Sequence, residues 1–199
     1  MKISTITRLP FKDAFSGIRK FDIINADKDY FNELFDYSNR AVLFVYDDTS
    51  KGYSVFIKNT RGIGRDKTLV VRNQKKKNVF LMRIDGILFK KDSKCDCSLL
   101  TDKDFVFVEF KSNASNKTED AQIDNYENCY KQLYLTFNEF KKRFKKMGVD
   151  FVSLFSSVSA CAVFNPTVPY NNSTEKTLSR RFLKKTGIKL RYTNEIEIK

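Results

Sequence analysis

Glu109 and Lys111 stand two residues apart at the end of the run 105–110 (FVFVEF), which is almost wholly aromatic and β-branched. Such a run predicts a strand. Side chains alternate along a strand, so Glu109 and Lys111 point to one face. Asp85 sits on an earlier predicted strand, 79–89, and the simplest pairing of the two strands is an antiparallel hairpin. That pairing would set Asp85 close to Glu109. Two carboxylates on one face repel each other, and a divalent cation relieves the repulsion. A lysine beside them can orient or activate a water, or stabilise charge on a phosphate oxygen. Those are the parts that metal-assisted phosphodiester hydrolysis requires. Two plainer readings stand beside this one: Glu109 and Lys111 as an exposed pair on an edge strand, and Asp85-Gly86 as a turn or bulge. Against the first, charged residues that end an apolar strand need partners.

Several elements must position these residues. A short helix is predicted over 28–38, with Tyr30, Phe31, Leu34 and Phe35 on one side. Strands are predicted at 41–46, 53–57 and 68–71, and 58–78 is polar and basic, with Gly62 and Gly64. Residues 90–103 read as polar and turn-rich. A long helix is expected to start near Thr118, the capping residue, and to stop at Gly148. Its inward face is Gln122, Tyr126, Tyr130, Leu133, Phe137, Phe140 and Phe144, in steps of three and four. Then come a strand region at 151–164, a loop with Pro166 and Pro169, a basic helix at about 175–186 and a short strand at 188–192. The expected class is α/β, a central mixed β-sheet flanked by helices, as one domain over 1–199 with its core at about 28–165.

The composition sets outer limits. A chain of 199 residues with 41% hydrophobic residues can bury a sizeable core. The net charge of +13 makes polyanions, above all nucleic acid, plausible partners. The basic residues singled out are Lys75, Lys76 and Lys77, then Lys142, Arg143 and Lys146 at the end of the long helix, and Arg180 and Arg181 on the last helix. Favourable charge at helix C-termini and plain solubility are the alternative account. With no histidine, His-containing zinc sites and His-based triads are excluded. Cys95-Asp96-Cys97 could touch a metal, but reduced thiols in a cytoplasmic protein are the ordinary reading. No signal peptide and no apolar run near the roughly 20 residues of a membrane span are visible. A soluble, cytoplasmic protein is therefore expected.

Asp85-Gly86-Ile87 followed by Phe107-Val108-Glu109-Phe110-Lys111 resembles the PD-(D/E)XK nuclease superfamily. That superfamily has an Asp on one core strand, a Glu-x-Lys on the next, a helix ahead of the core strands and another after the Glu-x-Lys. Gln122-Ile123-Asp124-Asn125-Tyr126 is similar to the Gln-x-x-x-Tyr of the RecB-like branch. The resemblance implies a restriction-endonuclease-like core and Mg²⁺ or Mn²⁺ held by Asp85, Glu109 and the Phe110 backbone carbonyl. It implies Lys111 acting on the water and Gln122 and Tyr126 assisting. Glu33 is a candidate for the acidic residue that some members carry on the first helix. Ile84 stands where members often have proline. Core packing explains Tyr126 equally well. The expected function is a metal-dependent nuclease, on DNA rather than RNA. The alternatives are a non-catalytic nucleic-acid-binding module and a regulatory or interaction subunit on the same fold. A homodimer or larger complex is left open.

Overall fold

The FVFVEF run is buried on both faces, and that demands a layer above and a layer below it. A computed structural model describes residues 33–89, 94–111, 118–165 and 173–198. Along the chain the strands are β1 (Phe35–Ser38), β2 (Val42–Asp48), β3 (Tyr53–Ile57), β4 (Thr68–Arg72), β5 (Val79–Arg83), β6 (Cys97–Leu100), β7 (Asp104–Lys111), β8 (Ser157–Phe164), β9 (Lys189–Tyr192) and β10 (Glu195–Glu197). The helices are α1 (Glu119–Lys146) and α2 (Ser173–Thr186).

The strands form two mixed sheets rather than one. The first has the order β1-β5-β6-β7-β8-β9, and the second β10-β4-β2-β3. In the first sheet β5, β6 and β7 run antiparallel in sequence, while β8 and β9 join parallel to β7. Both helices cover one face of this sheet, where Phe105, Phe107, Ala160, Ala162 and Phe164 meet Tyr126, Leu133, Phe137, Phe140, Leu178 and Phe182. The second sheet covers the other face: Leu43, Val45, Leu69 and Val71 pack on Leu81, Leu99, Val106, Val108 and Val163. The α/β class therefore holds, but the two described helices both flank the same side. The second layer explains why β7 reads as continuously apolar instead of alternating.

Three expectations are corrected. Residues 35–38, expected as the end of a helix, form β1, paired with β5 from Phe35↔Met82 to Ser38↔Val79. Phe35 is the one buried residue of this edge strand, and pairing with β5 overrides the helical spacing. Residues 28–32 of that helix, and the prolines of the loop 166–172, lie outside the described residues. The strand expected over 79–89 ends at Arg83, and residues 84–89 fold back on themselves with Phe89 N–H and Leu88 N–H both donating to the Ile84 carbonyl. The expected hairpin with β7 does not form, because β6 emerges from the stretch read as turn-rich and lies between the two. The region 151–164 begins with a single 3₁₀ turn, Val152–Leu154, before β8.

Other expectations hold. Thr118 caps α1, its hydroxyl accepting from Ala121 N–H at 3.2 Å, and Gly148 follows the helix with φ +75°. No helix of the described residues is long and apolar enough to cross a membrane. An aromatic cluster locks α1 to β7: the Phe151 ring lies 5.1 Å from Phe105, 5.9 Å from Phe107, 5.5 Å from Phe140 and 5.1 Å from Phe144. Phe151 is fully buried, so Phe151→Ala should cost about 3–5 kcal/mol in urea unfolding and Phe151→Leu clearly less. An alanine variant within 1 kcal/mol of wild type, on the order of a surface change, would mean the cluster is not a structural lock.

Candidate active site

Glu109 is the deepest charged residue of β7, 1% exposed. It and Lys111 share the helix-facing side of the strand with Phe105 and Phe107. Lys111 Nζ lies 2.6 Å from Glu109 Oε1 and donates to Gln132 Oε1 at 2.7 Å. Gln132 in turn donates from Nε2 to the Lys94 carbonyl at 3.1 Å. One turn on, Thr136 accepts from Cys95 N–H at 2.8 Å. The middle of α1 thus fastens both the lysine and the chain entering β6. Glu109 Oε2 is buried with no hydrogen-bond partner among the described residues.

Three aspartates surround this pair. Asp96 lies immediately ahead of β6, and its Oδ2 accepts from Phe110 N–H at 2.6 Å. Its own carbonyl accepts from Ile84 N–H and Asp85 N–H, so it extends the β5–β6 ladder to Asp85. Asp85 is exposed, and its Oδ1 takes the Gly86 N–H at 3.0 Å. Asp47 comes from the second sheet, on the same side of β2 as the buried Leu43 and Val45. The next residue, Asp48, does different work: it ties the β2–β3 turn through Ser50 and Lys51. That turn reaches the site because Gly86, at φ +73°, has no side chain; a Cβ there would meet the Gly52 carbonyl at 2.9 Å.

The electrostatics follow from this crowding. Burial raises the Glu109 pKa from 4.5 to about 7; Lys111 opposes the shift, and Asp47 and Asp85 add to it. Burial, then the charges of Glu109 and Asp47, hold the Asp96 carboxyl well above the usual range. Burial and the charge of Asp85 raise Asp47, and burial raises Asp85 against the pull of Gly86 N–H and Lys111. For Lys111, burial works against the charge, but Glu109 outweighs it and the pKa is raised. Lys111 is therefore an ammonium, a donor rather than a base. Among the described residues, no three His, Cys, Asp or Glu side chains form a group able to hold a metal ion as they stand.

The expected residues fare unequally. Asp85 comes near Glu109, though from the fold-back after β5 and not from a paired strand. Asp96 is the acid that sequence reasoning passed over. Its one local trace was a lone carboxylate just ahead of the short segment Cys97–Leu100, which precedes Glu-x-Lys. Gln122 is half-buried near the start of α1, about 15 Å of helix before Gln132, which is the glutamine that meets Lys111. Tyr126 is buried, stacks on Phe164 at 4.6 Å, and donates its hydroxyl to Glu175 Oε1 at 2.7 Å. Glu33 is exposed just before β1, where its carbonyl accepts from Arg83. Cys95 faces the helix-side core and Cys97 the core between the sheets, so the Cys-x-Cys pair cannot share an ion.

The basic residues lie at two ends. Lys75, Lys76 and Lys77 occupy the turn before β5, and Lys77 pairs with Asp102 ahead of β7 at 3.7 Å. Lys142 and Lys146 are exposed at the end of α1, about 15–20 Å of helix beyond Gln132. Both groups lie at the end of the first sheet opposite Glu109. Arg143 is engaged by Glu139 at 2.7 Å and by the Phe89 ring. Arg181 pairs with Glu127 at 3.4 Å and lies over Tyr130, whereas Arg180 is exposed. No family model matches the chain, and no curated protein or solved structure is significantly similar to it.

The raised carboxyl has a thermodynamic signature. Glu109 binds a proton more tightly folded than unfolded, so the stability this lends is full below about pH 4.5 and is lost as pH rises through about 7. Its loss should amount to on the order of 2–3 kcal/mol. Urea unfolding of wild type and Glu109→Gln across this window should show the wild type losing more stability than the variant. Parallel pH profiles would show that Glu109 titrates as an ordinary exposed acid.

Proposed function

We propose that this chain is a metal-dependent nuclease whose centre is built on Glu109, Lys111 and Asp96, with Asp85 and Asp47 completing the acidic surround. The observation that carries the reading is Glu109: a buried carboxyl with one oxygen on an ammonium and the other without a partner among the described residues. A fold does not ordinarily retain such a group for stability. Strongly perturbed acids in one place mark functional sites.

The topology supports the PD-(D/E)XK resemblance better with Asp96 than with Asp85. Asp96 heads β6, Glu-x-Lys ends β7, the next strand, and α1 follows. A restriction-endonuclease-like core is the finer fold reading that goes with it. The donor chemistry, hard carboxylate oxygens without thiolate or imidazole, suits Mg²⁺ or Mn²⁺. Glu109 Oε2, Asp96 or Asp85, and the Phe110 carbonyl are the groups that would hold it. Because they do not form a finished shell, several ligands would remain waters, as is usual for Mg²⁺. When bound, the ion supplies Lewis acidity to a phosphate oxygen and lowers the pKa of a water. Lys111, an ammonium held by Gln132, supplies a fixed positive charge where phosphate charge develops. DNA is the proposed substrate ahead of RNA.

A second reading is a nucleic-acid-binding module without catalysis. It is favoured by the closed Lys111–Glu109 pair and the absence of a ready metal group among the described residues. Incubation with plasmid, single-stranded DNA and RNA, in Mn²⁺ and in chelator, separates the two. Glu109→Gln and Asp96→Asn should each lower Mn²⁺-dependent cleavage by about 100-fold or more, and Asp85→Asn by less. Full cleavage by a folded Glu109→Gln protein would remove the site assignment.

A further inference from the structure

Between Lys176 and Arg191 the chain carries Lys176, Arg180, Arg181, Lys184, Lys185, Lys189 and Arg191 and no acidic residue. Most of these charges are spread over the exposed face of α2. Three of them, however, Lys176, Arg180 and Arg191, line with Ser179 and Tyr192 a cleft of about 350 Å³ between the first half of α2 and the end of β9. None of the three has a carboxylate partner among the described residues, unlike Arg181 on the neighbouring side of the helix. The acid that also lines the cleft, Glu175, is buried and accepts from Tyr126. Tyr192 adds a buried hydroxyl with no hydrogen-bond partner among the described residues. Three cations and a serine hydroxyl around an open cleft form a recognition set for a phosphate.

Its position relative to Glu109 is set by the sheet. Glu109 is level with Ala162 on β8, and Ala162 with Tyr192 on β9. Two strand spacings put Tyr192 about 10 Å from Glu109. That is roughly the axial rise of three nucleotides of one strand. The lysines of the 75–77 turn and of the end of α1 lie at the other end of the sheet and cannot serve the same stretch.

We infer that this cleft binds a backbone phosphate of the nucleic acid, about three nucleotides from the bond held at Glu109. The inference rests on the nuclease reading for the identity of its ligand. It is tested by binding in chelator, where no cleavage intervenes, using an end-labelled DNA oligonucleotide and fluorescence anisotropy across a salt series. Arg180→Gln/Arg191→Gln should weaken binding at every salt concentration and reduce the log–log salt slope by about two on duplex DNA. Lys142→Gln/Lys146→Gln removes the same charge at the far end and should leave the slope unchanged. Equal losses in both variants, or none in the first, would overturn the inference. So would binding to anionic phospholipid vesicles that depends on Arg180 and Arg191 while DNA binding does not. Absence of Mn²⁺-dependent cleavage by the wild-type protein would sink the nuclease reading and leave the slope result standing, so the two failures are distinguishable.

Discussion

The contact on which the site depends is the ion pair between Glu109 and Lys111, made in the interior rather than in water. A buried carboxylate is costly, and one ammonium satisfies only one of its oxygens. The surrounding structure limits that cost without removing it. Gln132 fixes the lysine from α1, while burial, with the charges of Asp47 and Asp85 adding to it, pushes the carboxyl towards its protonated form. Glu109 is thereby left poised near neutrality, able to accept a cation or give up a proton with little reorganisation elsewhere.

That poise needs two layers on the first sheet. The helical layer supplies Gln132 and the aromatic cluster that holds α1 against β7. The second sheet supplies Asp47 and covers the opposite face. Gly86 allows the β2–β3 turn to approach, which joins the two sheets at the acidic end. The sheet therefore has a polarity: carboxylates gather where β7 ends, and the lysine turns gather where it begins. Among the described residues, the α2–β9 edge brings Lys176, Arg180 and Arg191 to the acidic end.

Much of the fold was legible locally. The apolar run of β7, the three-and-four spacing of α1, the threonine cap and the glycine stop are nearest-neighbour signals, and all appear where the residues predict them. Glu109 and Lys111 were legible as a pair because strand alternation alone puts them on one face. Asp96 was hidden: β6 is only four residues long and sits inside a polar stretch, so its strand character comes from pairing with β5 and β7 rather than from its own composition. Gln122 and Gln132 both lie on α1 in helical register, and nothing local says which one faces Lys111. The helix expected at 28–38 failed at Phe35–Ser38 for the same reason, since partnership with β5 overrides local periodicity.

By itself the sequence determined the long elements β7 and α1, the excess of positive charge, the absence of histidine and the Glu-x-Lys pair, because each depends on residue identity or short-range spacing. The tertiary structure alone decided that the strands split into two sheets and that β6 stands between β5 and β7. It also chose Asp96 and Gln132 as the neighbours of the Glu109–Lys111 pair, and it sorted the lysines and arginines to opposite ends. Those choices are made by packing between segments far apart in the chain, where burial and hydrogen bonding over the whole core outweigh any local preference.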